Sequence, residues 1–160
     1  MEKRKLYLAY GSNLNIDQMI SRCPGATLEG IATIPDYRLM FRGSRSGSYL
    51  TIEPCAGASV PCGVWALTPA DEKSLDFYEG FPSFYKKQTF RVEVKSLAFD
   101  REFISDAMAY VMDQSRPIGI PSQLYLQTVG DGYLDFGFDF DPLEDALSYA
   151  KRFCNKKEVS

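Results

Sequence analysis

The chain contains no histidine. That absence removes the Ser-His-Asp and Cys-His catalytic arrangements and the His-rich catalytic zinc sites together, and leaves proton transfer at neutral pH to Asp, Glu, Lys, Tyr or Cys. Cysteine is sparse and unpatterned. Cys23, Cys55, Cys62 and Cys154 are irregularly spaced and form no Cys-x-x-Cys pair, so structural zinc and redox pairs are not expected, and the four read as free, mostly buried thiols in a reducing compartment. Basic blocks are missing as well. Eighteen Lys and Arg against 21 Asp and Glu give a net charge of −3, without the basic patch that duplex nucleic acid or an anionic membrane requires. No apolar run approaches the ~20 residues of a bilayer span. The basic first five positions are followed by neither an h-region nor a small-residue cleavage site. The expectation is a cytoplasmic protein with no nucleic-acid and no membrane partner.

What is present suits one domain over residues 1–160, long enough to bury about two-thirds of its unfolded surface around a single core. Hydrophobic residues make up 45% and aromatics 14%, the latter generous enough to leave room for an apolar interface, so monomer and homodimer both stay open. Residues 6–9 read as a strand, 16–22 as a helix stopped by Pro24-Gly25, and 26–41 as strand sequence split in two at Pro35-Asp36. Residues 42–48, small and polar around Arg42 and Arg45, read as a mobile loop, either a cover for a site or a hairpin connection, with the two arginines expected to stay solvated. Residues 49–53 and 60–67 read as two further strands joined by 54–59, with Trp65 in the core.

Thr68-Pro69-Ala70-Asp71 spells an N-cap, a first-turn proline and a first-turn acid, opening a helix to Glu79 that Gly80 closes. From residue 84 the pattern alternates, Phe90, Val92 and Val94 against Thr89, Arg91, Glu93 and Lys95, and residues 103–112 form the next strand. A short helix over 122–129 closes at Gly130, residues 132–137 form an irregular turn, and Asp141-Pro142-Leu143-Glu144 opens a last amphipathic helix before a frayed tail, 155–160. Strands outnumber helices and follow one another as a meander. The fold class is α+β, a small barrel or strongly curved sheet carrying helices.

Two stretches carry candidate chemistry. Tyr10-Gly11-Ser12-Asn13-Leu14 leads from the first strand into a tight turn, with Asn15 as N-cap of the following helix and Gln18 at the capping-box position. Free N–H groups there suit a carboxylate, phosphate or oxyanion; an ordinary strand-to-helix turn needing a glycine has the same residues. Leu75-Asp76-Phe77-Tyr78-Glu79-Gly80 puts an acid at the end of a helix. The negative dipole end, the like charge of Asp76 and the flanking aromatics would each raise the pKa of Glu79 toward that of a general acid/base. The alternative is a surface glutamate at a frayed helix end. Ser12 is no nucleophile here, since neither a histidine nor a Gly-x-Ser-x-Gly elbow accompanies it.

The two stretches in this order resemble the γ-glutamylcyclotransferase-like, or AIG2-like, family. Tyr49-Leu50-Thr51-Ile52-Glu53-Pro54, Gly63-Val64-Trp65-Ala66-Leu67-Thr68 and the strand after Tyr85 fall in the family's order between and after them. Ser122-Gln123-Leu124-Tyr125 and the Gly-rich stretch to Gly137 are similar to the C-terminal part of the longer cyclotransferases. The resemblance implies a small mixed β-barrel flanked by helices. It further implies an acyl-transfer/lyase enzyme of glutathione metabolism type, which releases 5-oxoproline from a small-molecule γ-glutamyl peptide or γ-glutamylamine with no cofactor and no metal. Glu79 would be the general acid/base, and Tyr10, Gly11, Ser12, Asn13, Leu14 and Tyr125 would hold the γ-glutamyl moiety. For Tyr125 a packing role is the competing reading. A catalytically silent γ-glutamyl-binding or regulatory module of the same fold, or a related acyl transfer on another γ-glutamyl compound, is the alternative function.

Overall fold

The computed structural model describes residues 4–44 and 46–154. Strands β1 (Lys5–Ala9), β2 (Thr27–Ser44), β3 (Gly47–Leu67), β4 (Tyr85–Ser96) and β5 (Glu102–Met112) close into a barrel in the order β1-β3-β2-β4-β5. Neighbouring strands are antiparallel except at the closure, where β1 meets β5 in parallel through Tyr7 and Met108. Helices α1 (Ile16–Arg22), α2 (Pro69–Tyr78), α3 (Gln123–Phe136) and α4 (Asp141–Cys154), with a 3-10 turn at Ser12–Leu14, complete the described elements. The α+β barrel reading is thereby met.

Alternation along the strands distributes the core to two faces. Leu8, Val64, Val92, Val94 and Ala107 join Val129 and Tyr133 of α3 and Leu143, Ala146 and Ala150 of α4 in one cluster. On the opposite face Ala9, Trp65, Leu67, Met108 and Met112 meet Met19 and Cys23 near α1 and Leu75 of α2. Helix starts follow local sequence closely. Thr68 and Asp71 exchange side-chain and backbone hydrogen bonds in a full capping box with Pro69 behind the cap, and Asn15 Oδ1 accepts the Gln18 N–H at 3.0 Å.

Three expectations are corrected. The strands read separately at 26–41, 49–53 and 60–67 are one long hairpin, β2 against β3. Pro35 and Pro54 survive inside it because residues 55–58 bulge out opposite Asp36, which takes φ +60° and accepts the Gly57 N–H at 3.0 Å. Of the two readings left open for the segment 42–48, the hairpin connection is the one met, with pairing as far as Ser44 and Gly47. Arg42 is no solvated cation: it ion-pairs with the buried Glu53 and donates to the Arg116 carbonyl at 2.7 Å. Arg45, like the tail 155–160, lies outside the described residues.

The third correction concerns glycine. Gly130 and Gly132 do not end a helix; α3 runs through both to Phe136 and stops at Gly137, with φ +70°. A Cβ on Gly132 would stand 2.6 Å from the backbone carbon of Leu14 and 2.7 Å from the Asn15 nitrogen. The residue is there so that α3 can touch the turn after β1.

Candidate active site

That turn is held from several sides. β1 delivers Tyr10 to a buried position where its hydroxyl donates to the Tyr110 carbonyl. Ser12, Asn13 and Leu14 then form one turn of 3-10 helix, in which the Leu14 and Asn15 N–H groups donate to Gly11 and Ser12 carbonyls, each at 3.0 Å. The N–H groups of Gly11, Ser12 and Asn13 precede the first intrahelical bond and have no acceptor among the described residues. Gln18 completes only half of the expected capping box, since its side chain donates to the Ser12 carbonyl at 3.2 Å. Asn15 adds a tie to α3 by donating to the Thr128 carbonyl at 3.2 Å.

The turn lines a cavity of about 590 Å³, and Glu79, the C-cap residue of α2, lines it too. Of the candidate residues named above, Tyr10, Gly11, Ser12, Asn13, Glu79 and Tyr125 border this space. Leu14 does not. It is fully buried in the core and is the surface on which Gly132 rests, so it anchors the turn from behind. Tyr125 has the packing role that was one of its two readings, and it also borders the cavity. Its hydroxyl accepts the Leu50 N–H at 3.0 Å, which fixes the ring, and that oxygen lies only 3.1 Å from where a Cβ on Gly11 would be.

Burial raises the pKa of Glu79 to about 7, and the positive charge of Arg22 works against the rise. Asp76 is not among the causes, which corrects the like-charge expectation. Its carboxylate is engaged by Lys87 at 2.9 Å and by the Tyr110 hydroxyl at 2.6 Å. A carboxyl group poised near neutrality, beside unpartnered N–H donors in one cavity, is equipped to move a proton between two atoms of a bound anionic ligand.

Sequence reasoning missed two features. Seven of the ten tyrosines line the cavity: besides Tyr10 and Tyr125, which the sequence singles out, these are Tyr7, Tyr49, Tyr78, Tyr85 and Tyr110. The other is a side-chain chain through Asn13, which donates to the Tyr7 hydroxyl at 3.0 Å and to Glu79 at 3.4 Å while its amide oxygen accepts from Arg22 at 3.0 Å. A signal existed: Arg22 ends α1 with Gln18 and Met19, not acids, at the preceding i−4 and i−3 positions. No group of three or more potential metal-ligating side chains occurs among the described residues, and no described helix is long and apolar enough to cross a membrane.

Comparison with known proteins gives one consistent result. Residues 7–127 match the family model described as gamma-glutamyl cyclotransferase, AIG2-like. A human gamma-glutamylcyclotransferase is 34% identical over 89 residues, 51% of this chain and 47% of its own, and the bovine protein of the same name is 35% identical over 85 residues, 49% and 45%. The matched stretch thus spans about half the length of these relatives. A solved structure of a gamma-glutamyl cyclotransferase superimposes with a TM-score of 0.70 at 27% identity, over 94% of this chain and 86% of that one.

Proposed function

The chain belongs to the gamma-glutamyl cyclotransferase, AIG2-like family, and from that premise we propose that it releases 5-oxoproline from a γ-glutamyl peptide or γ-glutamylamine, without metal or cofactor. The observation that carries the reading is the single cavity shared by Glu79 and the Gly11-Ser12-Asn13 turn. The nucleophile in this chemistry is the substrate's own α-amino group, so the missing histidine costs nothing. The turn N–H groups donate to the α-carboxylate and hold the glutamyl chain folded, with amine and γ-carbonyl adjacent. Glu79 takes a proton from the ammonium, and the freed amine bonds to the γ-carbon. Glu79 then returns the proton to the departing nitrogen as the old C–N bond breaks, and the second proton on the new lactam nitrogen passes to the released amine, which leaves as an ammonium. One group acts as base and then acid, which suits a pKa of about 7. Four free thiols are consistent with work in the cytoplasm, as a monomer or homodimer.

The test is Glu79→Gln, which keeps the shape and removes the shuttle. Release of 5-oxoproline from γ-glutamyl donors falls by about 10²–10⁴-fold, while binding of 5-oxoproline, followed by calorimetry, persists. Near wild-type turnover by the purified variant overturns the assignment.

A further inference from the structure

The chain of side chains behind Glu79 has only one self-consistent set of hydrogen positions. Arginine can only donate, so the Asn13 amide oxygen must face Arg22, at 3.0 Å. Both hydrogens of the Asn13 nitrogen are then directed away from Arg22, one to the Tyr7 hydroxyl oxygen at 3.0 Å and one to Oε1 of Glu79 at 3.4 Å. Two consequences follow at the atoms. Oε1 of Glu79 is engaged as an acceptor, which leaves Oε2 as the oxygen with no partner among the described residues. The oxygen of Tyr7 is likewise occupied as an acceptor, and its own hydrogen has no acceptor among the described residues although Tyr7 is 4% exposed and borders the cavity. Buried hydroxyl hydrogens do not stay unpaired without cost. The partner they imply here is an oxygen of the ligand.

We propose that Tyr7 is a further catalytic residue, whose hydroxyl donates to the γ-carbonyl oxygen as negative charge develops there, and that Arg22 and Asn13 are positioning residues that aim it. This rests on the γ-glutamyl reading of the site. When the amine bonds to the γ-carbon, the carbonyl π pair moves onto oxygen, and Tyr7 stabilises it by a hydrogen bond without giving up its proton. The pair returns to re-form the carbonyl when the leaving nitrogen departs with the proton carried by Glu79. Burial pushes the phenol of Tyr7 well above its ordinary value, which keeps the donor protonated throughout. The groups facing Glu79 from the surrounding elements are Arg22 on α1, Tyr7 on β1, Tyr10, Tyr85 on β4, Tyr110 on β5 and Tyr125 on α3. Arg22 is the one ion among them, so its loss moves the titration of the shuttle directly.

The experiment screens γ-glutamylalanine, glutathione and γ-glutamyl-ε-lysine for 5-oxoproline release, then compares variants on whichever donor the wild type turns over fastest. Tyr7→Phe lowers kcat by about 10²-fold with KM and 5-oxoproline binding unchanged, as for a donor used only in the transition state. Arg22→Met lowers kcat and moves the acid limb of kcat/KM to higher pH. Arg22→Lys, which keeps the charge and a donor for Asn13, recovers part of both. A wild type that releases no 5-oxoproline takes down the γ-glutamyl reading and this proposal with it. A Tyr7→Phe enzyme within about threefold of an active wild type overturns this proposal alone. Should Tyr7→Phe fail to fold, an Arg22→Met enzyme with unchanged kcat and an unmoved acid limb overturns it equally.

Discussion

The two ends of α2 put the same functional group to opposite uses. At the start, the buried carboxylate of Asp71 accepts N–H groups of Thr68 at 3.1 Å and Gly25 at 3.2 Å, and Glu72 holds Lys5 and Lys87 at 2.8 and 2.7 Å. Lysine contacts outweigh burial there and lower the pKa of Glu72. At the other end, Glu79 has no ion partner within salt-bridge distance among the described residues, and burial wins, raising it to about 7. What separates a structural acid from a working one is therefore the supply of partners. Three turns of one helix suffice to change it.

Glu79→Gln breaks the contrast hardest. Beyond the loss of turnover, it changes how stability depends on pH. The folded pKa lies above the unfolded one, so the folded state binds more protons between about 4.5 and 7, and wild-type stability falls as pH rises through that window. The glutamine variant lacks that decline. By thermal unfolding it gains up to about 3 kcal/mol on the wild type at pH 8 and little at pH 4. A wild type whose stability does not fall between those pH values would show that Glu79 is not held near neutrality.

Asp71→Ala attacks the other end and should do the reverse. It removes the N3 half of the capping box and the tie to Gly25, costing about 2–3 kcal/mol, with activity per folded molecule unchanged. Glu72→Gln is milder, about 0.5–1 kcal/mol, because Lys5 is half exposed and such pairs are screened. Here the sign is opposite to that of Glu79. The folded pKa is depressed, so the contribution is present above the ordinary carboxylate range and disappears as pH falls through the folded value. Urea unfolding of the two proteins at pH 7 and at pH 3 should therefore show a larger difference at the first than at the second.

Why one end of α2 was readable and the other only in part has a physical explanation. Caps are local: Thr68, Pro69 and Asp71 bond within four residues, so α2 and α1 begin where the sequence places them. Glu79 stood out as an acid at a helix end, and its cavity required only that the turn at Gly11 arrive from β1. Tyr125 was named through the resemblance, but Tyr7 and Arg22 did not follow, because they come from β1 and α1 while Glu79 ends α2, and only the fold brings them together around Asn13. Glycine misled for a similar reason. Gly132 looks like a helix breaker in isolation and is explained only by the Leu14 backbone against it. Pro35 and Pro54 read as strand ends because the bulge that accommodates them needs both strands to be seen at once.

The smallest effect tests the boundary between the two ends. Lys87 bridges Glu72 and Asp76, so the neutralisation that organises the start of α2 reaches to within three residues of Glu79. Lys87→Met leaves Asp76 with only the Tyr110 hydroxyl, an uncharged donor, and restores the like charge that the bare sequence suggests. Coulomb repulsion through the protein then raises Glu79 further, and the acid limb of kcat/KM shifts upward by a few tenths of a pH unit, more at low salt than at high. Adding Asp76→Asn to Lys87→Met returns the limb to its wild-type position, whereas Asp76→Asn alone hardly moves it. An unmoved limb in Lys87→Met would mean that Asp76 is too well solvated to be felt, and that enclosure by the tyrosine walls sets the proton affinity of Glu79 without help from along its own helix. A shift reversed by the double variant would make Lys87 the residue that keeps the structural end of α2 from intruding on the working one.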